Sequence, residues 1–235
     1  DIAPGRILDL PRQRLTTLRR SVFKDILAEC APGKNIIINT HATFRWKHGL
    51  FHAYDHADMQ KLNADLYITL IDNVDATHER LDRDHDLRHS LKDILVWREE
   101  EIVVTRAMAE AVKGYGNCYT VTRSNENITA ETVYRLMFEP KRKRVYPSFP
   151  MTHVMGMPEV LAEINGFRRR LSEHFTTFDP GDLDEKDLLF KAGAATQRGE
   201  NEITVRVHDR DIHFRVDEVI TVIANADDPQ RQSQF

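Results

Sequence analysis

Two stretches of this sequence gather side chains that could do chemistry. In the first, Asn39-Thr40-His41-Ala42-Thr43-Phe44-Arg45-Trp46 is followed by Lys47, so hydroxyls, an imidazole, two cations and aromatic faces stand close together. That set suits a base plus a phosphate, because guanidinium and hydroxyl donors match phosphate oxygens while flat rings cover a base. The plainer alternative makes His41 and Trp46 satisfied core or edge residues and leaves the cations to solvent. The second stretch is dispersed: Tyr146-Pro147-Ser148-Phe149-Pro150-Met151-Thr152-His153, then Asp179-Pro180, then Asp209-Arg210-Asp211 and Asp217. Prolines there would hold an irregular backbone where a ligand could sit. Carboxylates converging on strand ends would suit proton transfer or hydrogen bonding to a sugar hydroxyl. The alternative is that Asp179, Asp209 and Asp217 cap helices or turns.

These residues need elements to position them. Apolar residues at helical spacing predict a helix over Arg12–Cys30, stopped by Pro32-Gly33. The β-branched run Ile36-Ile37-Ile38 predicts a buried parallel strand leading straight into the first stretch, at the strand end where open α/β sheets bind ligands. A helix is expected around Asp55–Asn63, a strand over Leu66–Ile71 and helices over Val74–Arg83 and Ser90–Val112. Gly114 and Gly116 then precede a strand at Cys118–Thr122. A helix over Thr129–Phe138 and the basic run Lys141–Arg144 lead to a strand-like Val145–Phe149, and a domain boundary is placed at the basic run. Pro158 opens another amphipathic helix, Phe175–Phe178 reads as a strand, Ala192–Glu202 as a loop and Val219–Ala224 as the last strand. Alternating strands and helices imply a mostly parallel sheet.

Composition narrows the classes. A chain of 235 residues, 41% hydrophobic and 30% charged, can bury a real core. With 33 Lys and Arg against 37 Asp and Glu, it has no positive excess for a nucleic-acid backbone, so nucleic acid is not expected as a partner. The 2 cysteines are far apart and form no CxxC, which argues against a disulfide framework or a zinc site, and no metal ligands are assigned. No apolar run approaches the roughly 18 to 20 residues that span a bilayer, and the acidic start DIAPGRILDL is unlike a signal peptide. A cytoplasmic protein without a membrane partner is expected.

At Asn39-Thr40-His41 the chain resembles the nucleoside monophosphate kinases, particularly the archaeal-type adenylate kinases, where a strand runs into Asp-Thr-His. Leu62–Asp72 looks like that family's next core strand, and Glu79–Asp84 like the start of its lid. The resemblance implies nucleotide contacts from Asn39, Thr40, His41 and Arg45, phosphate contacts from Arg80, Arg83 and Arg88, and places Arg14 and Arg19 near the acceptor nucleotide. Alternating charges on a helix are also the mark of a solvated face. Asn39 departs from the acidic residue that would favour Mg²⁺. The sequence also contains no GxxxxGKS/T phosphate loop, Gly33-Lys34 being the only Gly-Lys pair. The family carries that loop ahead of the region matched. ATP and Mg²⁺ are therefore expected only if a preceding segment supplies it; otherwise the fold is kept without kinase activity.

From about Arg144 to Asp228 the order resembles the nucleoside 2-deoxyribosyltransferase-like fold. Ser148 to Pro150, Arg210-Asp211 and Asp217 stand in comparable places, although Phe149 and Val216 replace small residues. The resemblance implies substrate contacts from Tyr146, Ser148, Pro150, Met151 and Asp179, and ribose contacts or proton transfer from Asp211, Asp217, Asp227 and Asp228. The family's nucleophilic glutamate lies on a helix after the last strand, which is not presented before Phe235. The combined expectation is an α/β protein with two mostly parallel three-layer sheets, a P-loop-kinase-like domain over 1–140 and a flavodoxin/deoxyribosyltransferase-like domain over 141–235. It would bind a nucleotide or nucleoside, form a homo-oligomer, and carry out phosphoryl transfer or N-glycosidic chemistry, or act as a non-catalytic sensing or assembly module.

Overall fold

A computed structural model describes residues 7–30, 33–46, 49–85, 89–123, 126–149, 154, 157–183 and 185–226. The chain is mixed α/β with small sheets, some of them parallel. It divides into two compact units, one made of residues 1–69 and 93–120, the other of 70–92 and 121–235. Among the described residues no helix is long and apolar enough to cross a membrane.

The first unit starts with α1 (Arg12–Glu29), which buries Leu15 and Phe23. An antiparallel hairpin follows, β1 (Thr43–Trp46) with β2 (Gly49–His52), in the register Thr43↔His52 to Trp46↔Gly49. Helix α2 (His56–Leu62) is bounded at both ends by side-chain chemistry. Asp55 accepts from the N–H groups of Ala57 (3.0 Å) and Asp58 (3.4 Å), and Asn63 closes the helix at φ 47°, a left-handed conformation that asparagine tolerates. The core here gathers Phe23, Met59, Tyr67, Met108 and Ala109, with Leu62, Val112 and Cys118 packed against it.

Strands β3 (Tyr67–Ile71) and β4 (Cys118–Thr122) pair with each other. Tyr67 N–H donates to Asn117 and Arg123 N–H to Ile71; partner numbers rise together, so the pair is parallel. Between them run α3 (Val74–His85) and α4 (Leu91–Lys113), the latter ended by Gly114 and Gly116 at φ 80° and 92°.

The second unit adds α5 (Glu126–Phe138), β5 (Arg144–Val145), α6 (Pro158–His174) and β6 (Thr176–Thr177), with β5 and β6 parallel. Then come α7 (Lys186–Gln197), an antiparallel hairpin of β7 (Glu202–Val207) and β8 (Arg210–Arg215), and α8 (Val216–Ala226). The hairpin buries Ile203, Val205 and Val207 on one face, at the period of two that a half-buried strand requires. Helices α7 and α8 pack together, Leu188, Ala192 and Ala195 being buried on one and Val216, Val219 and Ile223 on the other. Leu188 is 2% exposed, so Leu188→Ala is expected to cost about 2–5 kcal/mol, read as a lowered denaturation midpoint by circular dichroism.

Several expected elements differ. Residues 34–40 form no strand and Ile37 is 73% exposed, because no described strand offers this β-branched run a ladder. Val219–Ala224 lies within helix α8: Val216, Val219 and Ile223 fall at i, i+3 and i+7, and burial against α7 overrides their β preference. Ala192–Glu202 is mostly the end of α7, whose small buried alanines carry little apolar pattern. The Val145–Phe149 strand shrinks to Arg144–Val145, since Pro147 has no N–H to give a ladder.

Candidate functional site

Helix α4 sets two adjacent carboxylates against the loop that leads into β1. Glu101 accepts from Ala42 N–H (2.9 Å), Thr43 N–H (3.1 Å), the Thr43 hydroxyl (3.2 Å) and His41 Nδ1 (3.3 Å). Glu100 takes the Arg45 guanidinium, whose Nε lies at 3.1 Å. One turn earlier, Trp97 donates its indole N–H to Thr43 O (3.3 Å) and stacks with the His41 ring at 5.8 Å. Burial opposes the charge on Glu101, but the bonds from His41, Ala42 and Thr43 outweigh it and hold the carboxyl below its ordinary value. Arg45 is pushed up chiefly by its hydrogen bond to Glu100.

Two consecutive N–H groups, a hydroxyl and an imidazole converging on one carboxylate make an anion-binding arrangement already filled from within the chain. Thr40 and Asn39 are exposed, and the Thr40 hydroxyl lies 3.3 Å from the His41 carbonyl. With His41 and Arg45 turned onto glutamates and an amide at Asn39, these residues do not fit ATP with Mg²⁺, and no step is derived through either. Among the described residues no group of three or more His, Cys, Asp or Glu is arranged to hold a metal.

A cleft of about 230 Å³ opens beside this loop in the same unit, between α1 and the segment joining β2 to α2. Arg12, Thr16, Arg19 and Arg20 line one wall and Phe51, His52, Tyr54 and Asp55 the other. Arg19 donates to His52 O (2.9 Å) and lies 5.8 Å from the Phe44 ring centre, Arg12 stands 5.9 Å over Phe51, and Arg20 pairs with Asp55 at 3.1 Å. The His52 and Tyr54 rings are parallel within 2° at 5.3 Å. Burial lowers Arg19 without threatening its charge and raises Tyr54; the Arg20 bond is the main reason Asp55 falls below its usual value. Three guanidiniums against one carboxylate leave the cleft positive. Arg19 was expected beside the nucleotide. Arg12 and Arg20 were missed, although Arg12, Thr16, Arg19 and Arg20 fall at i, i+4, i+7 and i+8.

Arg14 is exposed on α1 of the first unit and does not line the cleft, and the other expected residues are dispersed through the second unit. Arg80 binds Asp72 (2.6 Å) and Thr77 (3.3 Å). Arg83 binds Glu79 (2.9 Å) and Asp84, while buried Glu79 also receives Arg210 at 3.4 Å. Asp211 is exposed on β8 and pairs with Arg206 at 3.1 Å; Asp217 is exposed at the start of α8 and pairs with Arg215 at 2.6 Å. Tyr146 and Ser148 are exposed. Asp179 pairs with Arg168 and accepts from Gly181 N–H (2.9 Å). Asp179, Asp211 and Asp217 thus each serve a different arginine. Arg88, Pro150, Met151, Asp227 and Asp228 lie outside the described residues.

Beside Asp179, the same Arg168 reaches Asp182 at 3.2 Å. Burial, then the Asp179 charge, pushes Asp182 up to about 6 against the pull of Arg168. Its folded value lies above the ordinary carboxylate value, so the folded state binds the extra proton and stability falls as pH rises from about 4 to 6. Asp182→Asn removes that penalty and is expected to stabilise the protein by about 2 kcal/mol at neutral pH, a gain that shrinks as pH falls from about 6 and is gone below about pH 4; denaturation at neutral pH and below pH 4 checks it.

No protein-family model matches the chain, and no curated protein matches it.

Proposed function

We propose that the protein binds a nucleotide or nucleoside 5′-phosphate, with the cleft between α1 and the β2–α2 segment as its site. The observation that carries this reading is the positive wall of Arg12, Arg19 and Arg20 facing the parallel His52 and Tyr54 rings. Arg12 and Arg19 offer charge-assisted bonds to phosphate oxygens, Arg20 is held in place by Asp55, and the ring pair offers a flat apolar surface to a sugar or base. At about 230 Å³ the cleft is smaller than the roughly 300–1,000 Å³ of sites that engulf a drug-sized ligand, so it takes one end of a nucleotide and leaves the rest outside.

Phosphoryl transfer needs a cradle for the donor phosphates, and N-glycosidic cleavage needs a nucleophile or an activated water. Neither role is assigned to a described residue, and the proposal is for binding. A second reading, sensing or assembly without turnover, is favoured by the Glu101 carboxylate that fills the 41–43 donors. The larger parallel sheets, a kinase-like part and a deoxyribosyltransferase-like part rest on the resemblances alone. A cytoplasmic setting fits the free thiols Cys30 and Cys118.

Titration calorimetry with nucleoside 5′-monophosphates, nucleosides and inorganic phosphate tests the site. Phosphorylated ligands are expected to bind, and Arg19→Ala to weaken them by about 10- to 100-fold, the equivalent of one charge-assisted hydrogen bond. Binding unchanged in Arg19→Ala moves the site elsewhere. No heat from any of the three classes sinks the nucleotide reading.

A further inference from the structure

Helix α6 (Pro158–His174) is amphipathic, yet none of its side chains is buried. Val160 is 37% and Phe167 49% exposed, and Phe167 has the edge of Phe149 at 6.1 Å as its ring partner. At about 100° per residue, Val160, Glu163, Phe167, Arg170 and His174 fall within a sector of about 80°. The charges on this sector are ordered along the axis. Glu163 stands in the first half, Arg170 and His174 in the second, with Phe167 between the glutamate and the arginine. Among the described residues neither Glu163 nor Arg170 has an ion-pair partner.

A two-fold axis reverses the helix direction between copies, so a face is self-complementary when its acids and bases are disposed symmetrically about one point. Here that point lies between Gly166 and Phe167. An antiparallel copy centred on it sets Glu163 against Arg170 twice, about 10 Å apart along the axis, and brings the two Phe167 rings together at the centre. Gly166 lies outside this sector, about 80° round the helix from its centre, so the two Phe167 side chains set how closely the helices approach.

We propose that this face of α6 is a homodimer interface, occupied by the same face of a second copy in antiparallel orientation. The apolar centre supplies the attraction and the paired Glu163 and Arg170 fix the direction, because a parallel copy would set like charges against each other. This inference does not depend on the cleft.

Sedimentation velocity on the whole chain over a wide concentration range reads it, with far-ultraviolet circular dichroism as the control for folding. The expected result is a dimer whose self-association weakens by at least about tenfold in Phe167→Asp. Glu163→Arg alone is expected to weaken it also, and Glu163→Arg combined with Arg170→Glu to restore it, because the double exchange re-creates both pairs. The proposal is overturned if the wild-type chain stays monomeric throughout, if the dimer survives Phe167→Asp, or if the charge exchanges leave self-association unchanged. Should Phe167→Asp lose the native dichroism, the charge exchanges decide alone, since both positions are exposed.

Discussion

Glu101→Ala is expected to destabilise the first unit by about 3 kcal/mol, since it strands two backbone N–H groups and the Thr43 hydroxyl in part-buried positions at one stroke. Hydrogen exchange gives the most direct reading. The amides of Ala42 and Thr43 should lose protection ahead of those in α2, and Glu101→Gln, which keeps an acceptor but not the charge, should fall between. The same carboxylate sets a pH dependence. Its folded value is held below the ordinary one near 4.5, so its contribution is complete above that pH and is lost as pH falls through the depressed folded value. Acid titration of the wild type should therefore open the Ala42 and Thr43 amides, and Glu101→Ala should lack that step. Protection that is the same in wild type and variant would show that the four donors find water as easily as the glutamate.

Arg135→Ala should cost the second unit a similar amount, about 3 kcal/mol. Arg135 is 8% exposed and reaches from α5 to the end of α6, where one nitrogen donates to the carbonyls of Ser172 and Phe175 and another meets Glu131. The final carbonyls of a helix have no partner within it and carry its negative dipole end, so a guanidinium there satisfies both needs. Arg142 does the same for Glu173 O. Arg135→Lys should recover only part of the loss, because one ammonium cannot reproduce the fork. Denaturant melts of the three proteins decide it, and equal midpoints would mean that Arg142 and solvent suffice.

What could be read in advance followed local physics. Helix α2 was legible because Asp55 and Asn63 punctuate it, and β4 because Gly114 and Gly116 isolate Cys118–Thr122. The hairpin of β7 and β8 was not. Its turn, His208-Asp209, holds His208 at φ 51° without the glycine or asparagine that announces such turns, and the apolar positions Ile203, Val205 and Val207 sit among charges. Helix α8 was misread because its valines and isoleucines favour strands until a partner helix is known. At the site, the segment 39–46 was found from its residue types. Its occupant was hidden in Glu99-Glu100-Glu101, a charge run that looks solvated in sequence and is joined to Thr43 only by a contact spanning 58 residues. Arg12, Thr16, Arg19 and Arg20 needed only helical spacing to be grouped, but nothing in the sequence says what faces them.

The first unit is written in two pieces, 1–69 and 93–120, separated by a stretch that belongs to the other. On the ribosome, hairpin β1–β2 and helix α2 emerge well before Glu100 and Glu101, and at about 5–20 residues per second the donors of Ala42 and Thr43 wait some seconds for their acceptor. Over that interval the loop has open N–H groups and an unpaired Arg45. A nascent chain arrested shortly before residue 100 would thus present a free anion-binding loop that the finished protein keeps closed.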